Sequence, residues 1–597
     1  MSGGLGAGGD LDYTAPMDKP CPHRPRCPGC RWWERPYAQQ LAGKRARLAQ
    51  ALQPYPELAD IEIAPCLGVS PHQGYRTRVK WAVQGRRIGL YGEEHQVIDT
   101  PCCLVVPPVA LEVAALLRRR PPDGRGARLA GLDLRVTGDG RWLANLVIEA
   151  PVEPAAARLA RTLAPLLVSG GGAGQRGVAY SWRAPGSPTL LGGAPTLLTG
   201  EPELVDRIGR VELPYPPGAF SQAHAGGATL LHDLLRQAIA ELPADARHHL
   251  VDLYAGTGSL GLVLADLVDA VTLVEAYRPA AEAARRGAAR LGQQVEVRGV
   301  AAERALDELT ARPAAAGVIV LDPPRAGVAP AVLAAVCQAR PHLVALVSCQ
   351  ATTLARDLAL LATAGYRTDE VQPLDMMPGT PHVEALALLH PDQPTAAPVV
   401  ALGHGWRLVA RPPLLPCPAS LPPGEPSADQ LTPAGDLPRE LSGLCLLADN
   451  AAAPPPEPAA RQTVWMALVQ GEWPAEEEIG RPGRAPGRDG AVRCRVTPVA
   501  RAGSHTVVQL QVLAGELTAT RRLLALRGHP VLGDDRFGDP AANRHLQARH
   551  GLTRPFLHGS CAYSPQGTLW STALAPDLAA TLASLRAREP DDEALLD

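Results

Sequence analysis

The stretch that most restricts the fold is Leu250-Val251-Asp252-Leu253-Tyr254-Ala255-Gly256-Thr257-Gly258-Ser259. A short apolar run, two glycines and a helix-like apolar segment behind them read as a buried strand, a tight turn and a helix. The glycines let the turn bring its backbone close to a ligand at the helix N-terminus. A second apolar run, Val271 to Val274, ends in Glu275, an acid placed to bind ribose hydroxyls. Together they predict an α/β domain with a parallel, Rossmann-like sheet and a nucleoside-containing cofactor at the carboxyl ends of its strands. NAD and S-adenosylmethionine satisfy the same logic. The third glycine of the dinucleotide fingerprint falls on another spacing here, at Leu260-Gly261, which favours S-adenosylmethionine.

Further strands feed the same crevice. Gly317 to Leu321 ends in Asp322-Pro323-Pro324-Arg325-Ala326-Gly327, a rigid loop able to hold a flat base. The run HLVALV ends at Ser348-Cys349-Gln350 and is followed by a helix-like segment. A cysteine there faces the crevice and can serve as a nucleophile, although free cysteines are also common core residues. His382-Val383-Glu384 opens a last strand.

Upstream, residues 1–20 are Gly-rich and read as a disordered leader. Cys21, Cys27 and Cys30, separated by Pro and Gly, form a turn that presents sulfur to a metal centre. Zinc and an iron–sulfur cluster both fit, with His23, Cys102 or Cys103 as a fourth ligand. A short helix over 37–50 and a β-rich stretch over 58–106 follow, the whole of 21–106 forming an RNA-contacting segment. The run Arg76-Thr77-Arg78-Val79-Lys80-Trp81 sets three cations on one strand face beside Tyr75 and Trp81, which suits single-stranded nucleic acid or a charge-protected edge. Residues 107–215 read as a central α+β domain and 216–392 as the catalytic domain. The net charge of −2 gives no global field for nucleic acid, so local patches must do that work. No apolar stretch is long enough to span a membrane, and the N-terminus lacks signal-peptide features. Twelve cysteines without a secretion signal point to a reducing cytoplasm.

The cysteine cluster, Phe220-Ser221-Gln222-Ala223-His224, DLYAGTGSLGL, LDPPRAG, VSCQATTLARD and TPHVEALAL occur in the order of the bacterial RNA (uracil-5-)-methyltransferases, which this chain resembles over about residues 21–390. The resemblance implies methyl transfer from S-adenosylmethionine to carbon 5 of a uridine in ribosomal or transfer RNA, through a covalent cysteine–uracil adduct. It implies Cys349 as nucleophile and Glu384 as base. It places the cofactor on Gln222, Tyr254, Gly256, Ser259, Glu275 and Asp322. It further implies a 4Fe-4S cluster on Cys21, Cys27, Cys30 and Cys103, with Cys102 as the alternative fourth ligand. A cytoplasmic monomer acting on a single-stranded or loop uridine is expected. The chain departs from the family pattern at His224, at Gln350-Ala351 and at Val300, where Asn, Asn-Pro and a polar residue are usual.

After a Pro/Ala-rich linker over 393–400, residues 401–597 resemble the pseudouridine synthases, most clearly at Gly528-His529-Pro530-Val531-Leu532-Gly533-Asp534-Asp535-Arg536. That resemblance implies an α+β domain. Aligned on Ser442-Gly443, Pro438 takes the place of the catalytic aspartate, with Asp436 two residues away. Trp465 replaces the active-site tyrosine, and Glu516, Thr518 and Ala519 precede Arg521. An RNA-binding unit without isomerase activity is the expectation. The alternatives are a bifunctional enzyme and a non-catalytic RNA-binding scaffold.

Overall fold

A computed structural model describes residues 20–586 apart from 93–94, 121–125, 171–175, 188, 209–210, 293, 306–315, 393–398, 404–405, 412, 414–430, 434–440, 450–462, 482–491 and 564–568. The expected leader up to residue 19, and Asp436 and Pro438, lie outside these residues. The expected linker is shorter than its sequence pattern, because a strand already begins at Val399.

Three large sheets organise the described chain. In the first, the strands run in the order Val295–Arg298, Val271–Val274, Leu250–Leu253, Val318–Leu321, Leu343–Ser348, Glu384–Pro391, Glu370–Leu374 and Glu62–Ile63. The first five are mutually parallel. Leu250–Leu253, Val318–Leu321 and Leu343–Ser348 are buried at every residue, which is why they read as unbroken apolar runs rather than alternating ones. Glu384–Pro391 runs antiparallel to both its neighbours. It therefore begins at the end of the sheet where the parallel strands finish. This is the Rossmann-like arrangement expected, with the direction of its sixth strand reversed.

The edge strand Glu62–Ile63 comes from the N-terminal segment and pairs with Glu370–Leu374. The helix Tyr37–Leu52 before it packs on the helix Ala351–Thr363. The N-terminal segment is thus built into the catalytic sheet rather than standing apart from it.

The second sheet runs Val97–Asp99, Arg87–Tyr91, Arg78–Gln84, Arg128–Val136, Trp142–Glu149, Arg176–Arg183 and Thr196–Gly200. Strands from both sides of the boundary expected at 106/107 share this sheet and one apolar core. The hairpin Leu204–Ile208 with Val211–Tyr215 packs instead on the helix Arg278–Leu291 of the catalytic unit.

The third sheet begins at Val399–Gly403 and Trp406–Arg411 and continues through Ser442–Asp449, Leu557–Tyr563, Val464–Val469, His505–Ala514, Val492–Ala502 and Glu477–Arg481. With the helices Leu517–Leu526, Pro540–His550 and Pro576–Arg586 it forms the expected α+β unit. Among the described residues no helix is long and apolar enough to cross a membrane.

Candidate active site

Four side chains, Tyr254, Asp322, Cys349 and Glu384, stand at the end of the catalytic sheet where its parallel strands finish. Leu253 pairs with Leu321, and Leu321 with Leu346, so Tyr254, Asp322 and the Ser348-Cys349 corner open onto one crevice. Ser348 pairs with Ala385 across the antiparallel ladder. Cys349 and Glu384 are the next residues beyond this last pair, close enough that the charge of Glu384 acts on the Cys349 thiol.

This cluster is crowded with acids. Glu384 is 4% exposed, and its carboxyl is pushed well above the ordinary range by burial and by the charge of Asp322, against the pull of Arg325. Asp322 is pushed up to about 7 by burial, eased by a hydrogen bond that Gln222 Nε2 donates to its Oδ2 at 3.2 Å. Burial, then the charges of Glu384 and Asp322, push the Cys349 thiol up to about 12, while Arg325 draws it down. Burial and the neighbouring acids thus favour the thiol form of Cys349, and a cation entering the cluster favours ionisation of all three groups.

The glycine turn is held from the neighbouring strand. Gly256 N–H donates to Glu275 Oε2 at 2.8 Å and Tyr277 N–H to Glu275 Oε1 at 2.5 Å. Tyr254 adopts a φ of 69°, unusual for a side chain of its size, with its hydroxyl accepting from Ala329 N–H at 3.4 Å. Gly256 and Ser259 are half-buried in the same turn. At the strand's end Asp252 is fully buried, and burial pushes its carboxyl up to about 8. Its Oδ2 accepts from Gly261 N–H at 2.9 Å, which pins the start of the following helix.

The departures at His224, Gln350 and Val300 have different consequences. His224 is the N-cap of the helix Ala225–Ala240. Its Nδ1 accepts from Gly227 N–H at 3.2 Å, and its Nε2 lies 2.9 Å from the Pro71 carbonyl. Both contacts are satisfied by a neutral ring protonated on Nε2, and the ring stacks on Tyr75 at 5.0 Å. An asparagine would cap equally well, so this departure is a structural exchange. Gln350 Nε2 donates to Thr352 Oγ1 at 3.2 Å at the start of its helix, and Val300 keeps 36% of its surface exposed. Phe220, the first residue of the Phe220-to-His224 motif, is 59% exposed two residues before Gln222.

The three cations expected on one strand face are divided among different tasks. Arg76 reaches towards Met377 Sδ at 3.9 Å. Arg78 makes a two-pronged pair with Asp133 at 2.8 and 2.6 Å and donates to the Gly218 carbonyl at 3.1 Å. Asp133 is the register partner of Lys80, so the acid opposite Lys80 is already taken. Lys80 keeps surface in solvent, yet crowding, then the charges of Arg78, Arg76 and Arg325, push its ammonium below the ordinary value. The basic face therefore narrows to Lys80 on the strand, within electrostatic reach of Arg325 at the crevice.

Among the described residues no three His, Cys, Asp or Glu side chains converge closely enough to hold a metal ion. Cys21, Cys27, Cys30 and Cys103 nonetheless lie within reach of one another's charge. Burial pushes Cys30 up to about 12 and Cys103 up to about 11. Cys102 is exposed, whereas Cys103 packs against the core of the second sheet with Cys21 and Cys30.

This segment also grips the loop that delivers Glu384. Trp32 N–H donates to the Gly379 carbonyl at 2.8 Å, and Gln40 Oε1 accepts from Gly379 N–H at 2.8 Å. Tyr75 Oη donates to the Pro378 carbonyl at 3.2 Å. Lys44, fully buried, pairs with Asp375 and donates to the Met377 carbonyl at 3.1 Å. Gln40, Lys44 and Asp375 escaped the motif search. Their signal was a glutamine and a lysine on the stripe Tyr37, Gln40, Lys44, Leu48, Leu52, the buried face of the helix.

Strand order and the glycine turn define a Rossmann-like α/β unit. Residues 215–391 match the family model described as tRNA (uracil-5-)-methyltransferase. An uncharacterised RNA methyltransferase of Nitratidesulfovibrio vulgaris is 30% identical over 404 residues, 64% of this chain and 84% of that protein. A second, from Geobacter sulfurreducens, is 31% identical over 392 residues, 62% of this chain and 76% of that protein. The chain belongs to this family of RNA methyltransferases. A solved tRNA (uracil-54, C5)-methyltransferase of Pyrococcus abyssi, in complex with S-adenosyl-L-homocysteine, overlays with a TM-score of 0.47 at 22% identity, covering 61% of this chain and 86% of that one. Human RNA pseudouridylate synthase domain containing 4 overlays with a TM-score of 0.25 at 14% identity, over 32% of this chain and 94% of that one.

Proposed function

We propose that the chain methylates carbon 5 of a uridine in RNA, with Cys349 as nucleophile, Glu384 as base and S-adenosylmethionine as methyl donor. The observation that carries this reading is the closeness of Cys349 and Glu384, which lie just beyond the last pair of the ladder and interact through the charge of Glu384. Carbon 5 of uracil is too weak a nucleophile to take a methyl group unaided. Addition of the Cys349 thiolate to carbon 6 makes it an enolate carbon, which accepts the methyl group. Glu384 then takes the proton from carbon 5, and the C6–S bond breaks with return of the thiolate. S-adenosylmethionine, when bound, supplies an electrophilic methyl group on a positively charged sulfur. Glu275 and the 254–259 turn suit its nucleoside. Asp322, held by Gln222, suits the base or the donor's charge. Reaching the crevice requires the target base to leave its stack.

Lys80 with Arg325 suits a phosphate of the strand that carries the extruded base. Lys80→Ala is expected to raise the KM for RNA at nearly constant kcat and to flatten the slope of log affinity against log salt by about 1. Filter binding over a salt series checks this.

The iron–sulfur cluster that the resemblance implies is proposed for Cys21, Cys27, Cys30 and Cys103, which lie within reach of one another's charge, three of them against the core of the second sheet. Such a cluster would tie Cys103 of the second sheet to the segment that grips the 375–380 loop. Protein purified without air is expected to carry about four irons per chain and a visible charge-transfer band, both lost in Cys30→Ser. Stoichiometric zinc without iron would reverse the assignment.

The C-terminal unit is proposed to bind RNA or to support the catalytic unit without isomerising uridine. The replacement of the expected catalytic aspartate by Pro438 supports this.

A further inference from the structure

The turn after Asp322 is braced from behind by a buried arginine that also touches the C-terminal unit. Asp357 Oδ2 accepts from Val328 N–H at 2.9 Å. Arg356 pairs with Asp357 Oδ1 and donates to the carbonyls of Ala326 at 3.2 Å and Val328 at 3.4 Å. Its guanidinium is 2% exposed and also donates to the carbonyl of Gly551 at 3.4 Å. A Cβ at Gly327 would stand 2.3 Å from Arg356 Nη2, so the turn and its brace are fitted without slack.

Gly551 closes the helix Pro540–His550, and the helix Pro576–Arg586 lies beside it. Thr581 Oγ1 donates to the His550 carbonyl at 3.1 Å. Ala580 packs against the core of the catalytic sheet, and its helix lies on Ala351–Thr363, the helix that starts just after Cys349. The near side of this helix is fixed to its own sheet. Arg554 makes a two-pronged buried pair with Asp577 at 2.6 and 2.9 Å and donates to Ser442 Oγ at 3.0 Å. Ser442 is the residue on which the pseudouridine synthase resemblance is aligned. A polar chain therefore runs from Ser442 through Arg554 and Asp577 to Thr581 and the His550 carbonyl, and the next residue, Gly551, is bonded by Arg356, which also bonds Val328.

We infer that the C-terminal unit is a fixed buttress of the methyltransferase site, its partner being the catalytic unit of the same chain. It holds the 326–328 turn, and with it Arg325, through Gly551, Arg356 and Asp357, and it seats the helix that follows the nucleophile through Ala580. Arg356 is a positioning residue, since it acts through the turn and touches no reacting atom. Such a role needs packing and hydrogen bonds but no isomerase chemistry. The effect on methylation rests on the function proposed above; the bracing itself does not.

The test compares full-length wild type, Ala580→Arg and Arg356→Lys. The readouts are amide hydrogen exchange at Gly327 and Val328 and, separately, kcat and KM for RNA. Arginine at 580 wedges the interface apart, and lysine at 356 cannot serve so many acceptors. Both variants are expected to speed exchange of the Val328 amide about tenfold or more, with strand amides of either sheet unchanged. Both are expected to lower kcat with little change in KM for RNA, and the double variant adds little to either. If Ala580→Arg does not fold, Arg356→Lys carries the same exchange readout. Unchanged exchange at Val328 in folded Ala580→Arg, or in Arg356→Lys, overturns the inference. Faster exchange in a chain whose Cys349→Ala form still methylates carbon 5 would preserve the buttress and refute the proposed chemistry.

Discussion

Replacing Cys349 by alanine is expected to remove methyl transfer to carbon 5, with a loss on the order of a million-fold, as when a nucleophile that works as one unit with its partners is deleted. The reason is electronic. Without a sulfur at carbon 6, carbon 5 keeps its ordinary electron density and the methyl donor has no carbanion-like partner. Binding should survive, because the nucleoside turn at 254–259 and the Gln222–Asp322 contact are separate from the thiol. Isothermal titration with S-adenosylmethionine and radiolabelled methyl transfer into RNA measure the two parts independently. A variant that binds the donor normally yet transfers nothing fits this account. Residual transfer near the wild-type rate does not.

Glu384→Gln is expected to fail later. The thiolate can still add and the methyl group can still move, but the proton on carbon 5 has no acceptor. Turnover falls by on the order of 10²–10⁴-fold, and RNA stays attached to Cys349. The same substitution changes the free thiol in a direction that can be stated in advance. Glu384's charge is one of the causes that raise the Cys349 thiol to about 12, so removing it moves the pH profile of thiol alkylation to lower pH. Arg325 pulls the thiol the other way, so Arg325→Ala moves that profile higher. Faster alkylation together with lost turnover in Glu384→Gln separates a base from a residue that merely supports the fold.

Much of this site was legible in the chain because each parallel strand is a continuous apolar run with its chemical residue at the end. Leu250–Leu253, Val318–Leu321 and Leu343–Ser348 could be placed by that pattern, and Asp322 and Cys349 followed from it, whereas Tyr254 came only with the family resemblance. The reversal of Glu384–Pro391 was not legible, since burial on both faces looks alike in either direction. Yet that reversal brings Glu384 to the end of the sheet where Cys349 stands. The role of Arg78 was hidden for a similar reason. Its partner Asp133 lies 55 residues away and becomes a neighbour only through the pairing of two strands. Lys44 and Asp375 are separated by 331 residues, and Arg356 and Gly551 by 195, so neither contact leaves a local pattern. The boundary expected at 106/107 rested on a change from β-rich to mixed text, whereas one sheet draws strands from both sides.

The grip of the N-terminal segment on the 375–380 loop adds a consequence for the cysteine site. Trp32, Gln40, Lys44 and Tyr75 all bond to that loop, and Glu384 follows it by a few residues. A buried pair such as Lys44 and Asp375 contributes more to a unique geometry than to net stability. Disturbing the cysteines should therefore affect the delivery of Glu384 before it affects the glycine turn.

The central claim is a covalent bond between Cys349 and carbon 6 of the target uracil. It is tested most directly by mass spectrometry of Glu384→Gln after incubation with substrate RNA and S-adenosylmethionine, followed by nuclease and protease digestion. The peptide that contains Cys349 is predicted to carry a uridine nucleotide with one added methyl group. A Cys349 peptide that remains unmodified while methylated uridine appears in the RNA would contradict the account.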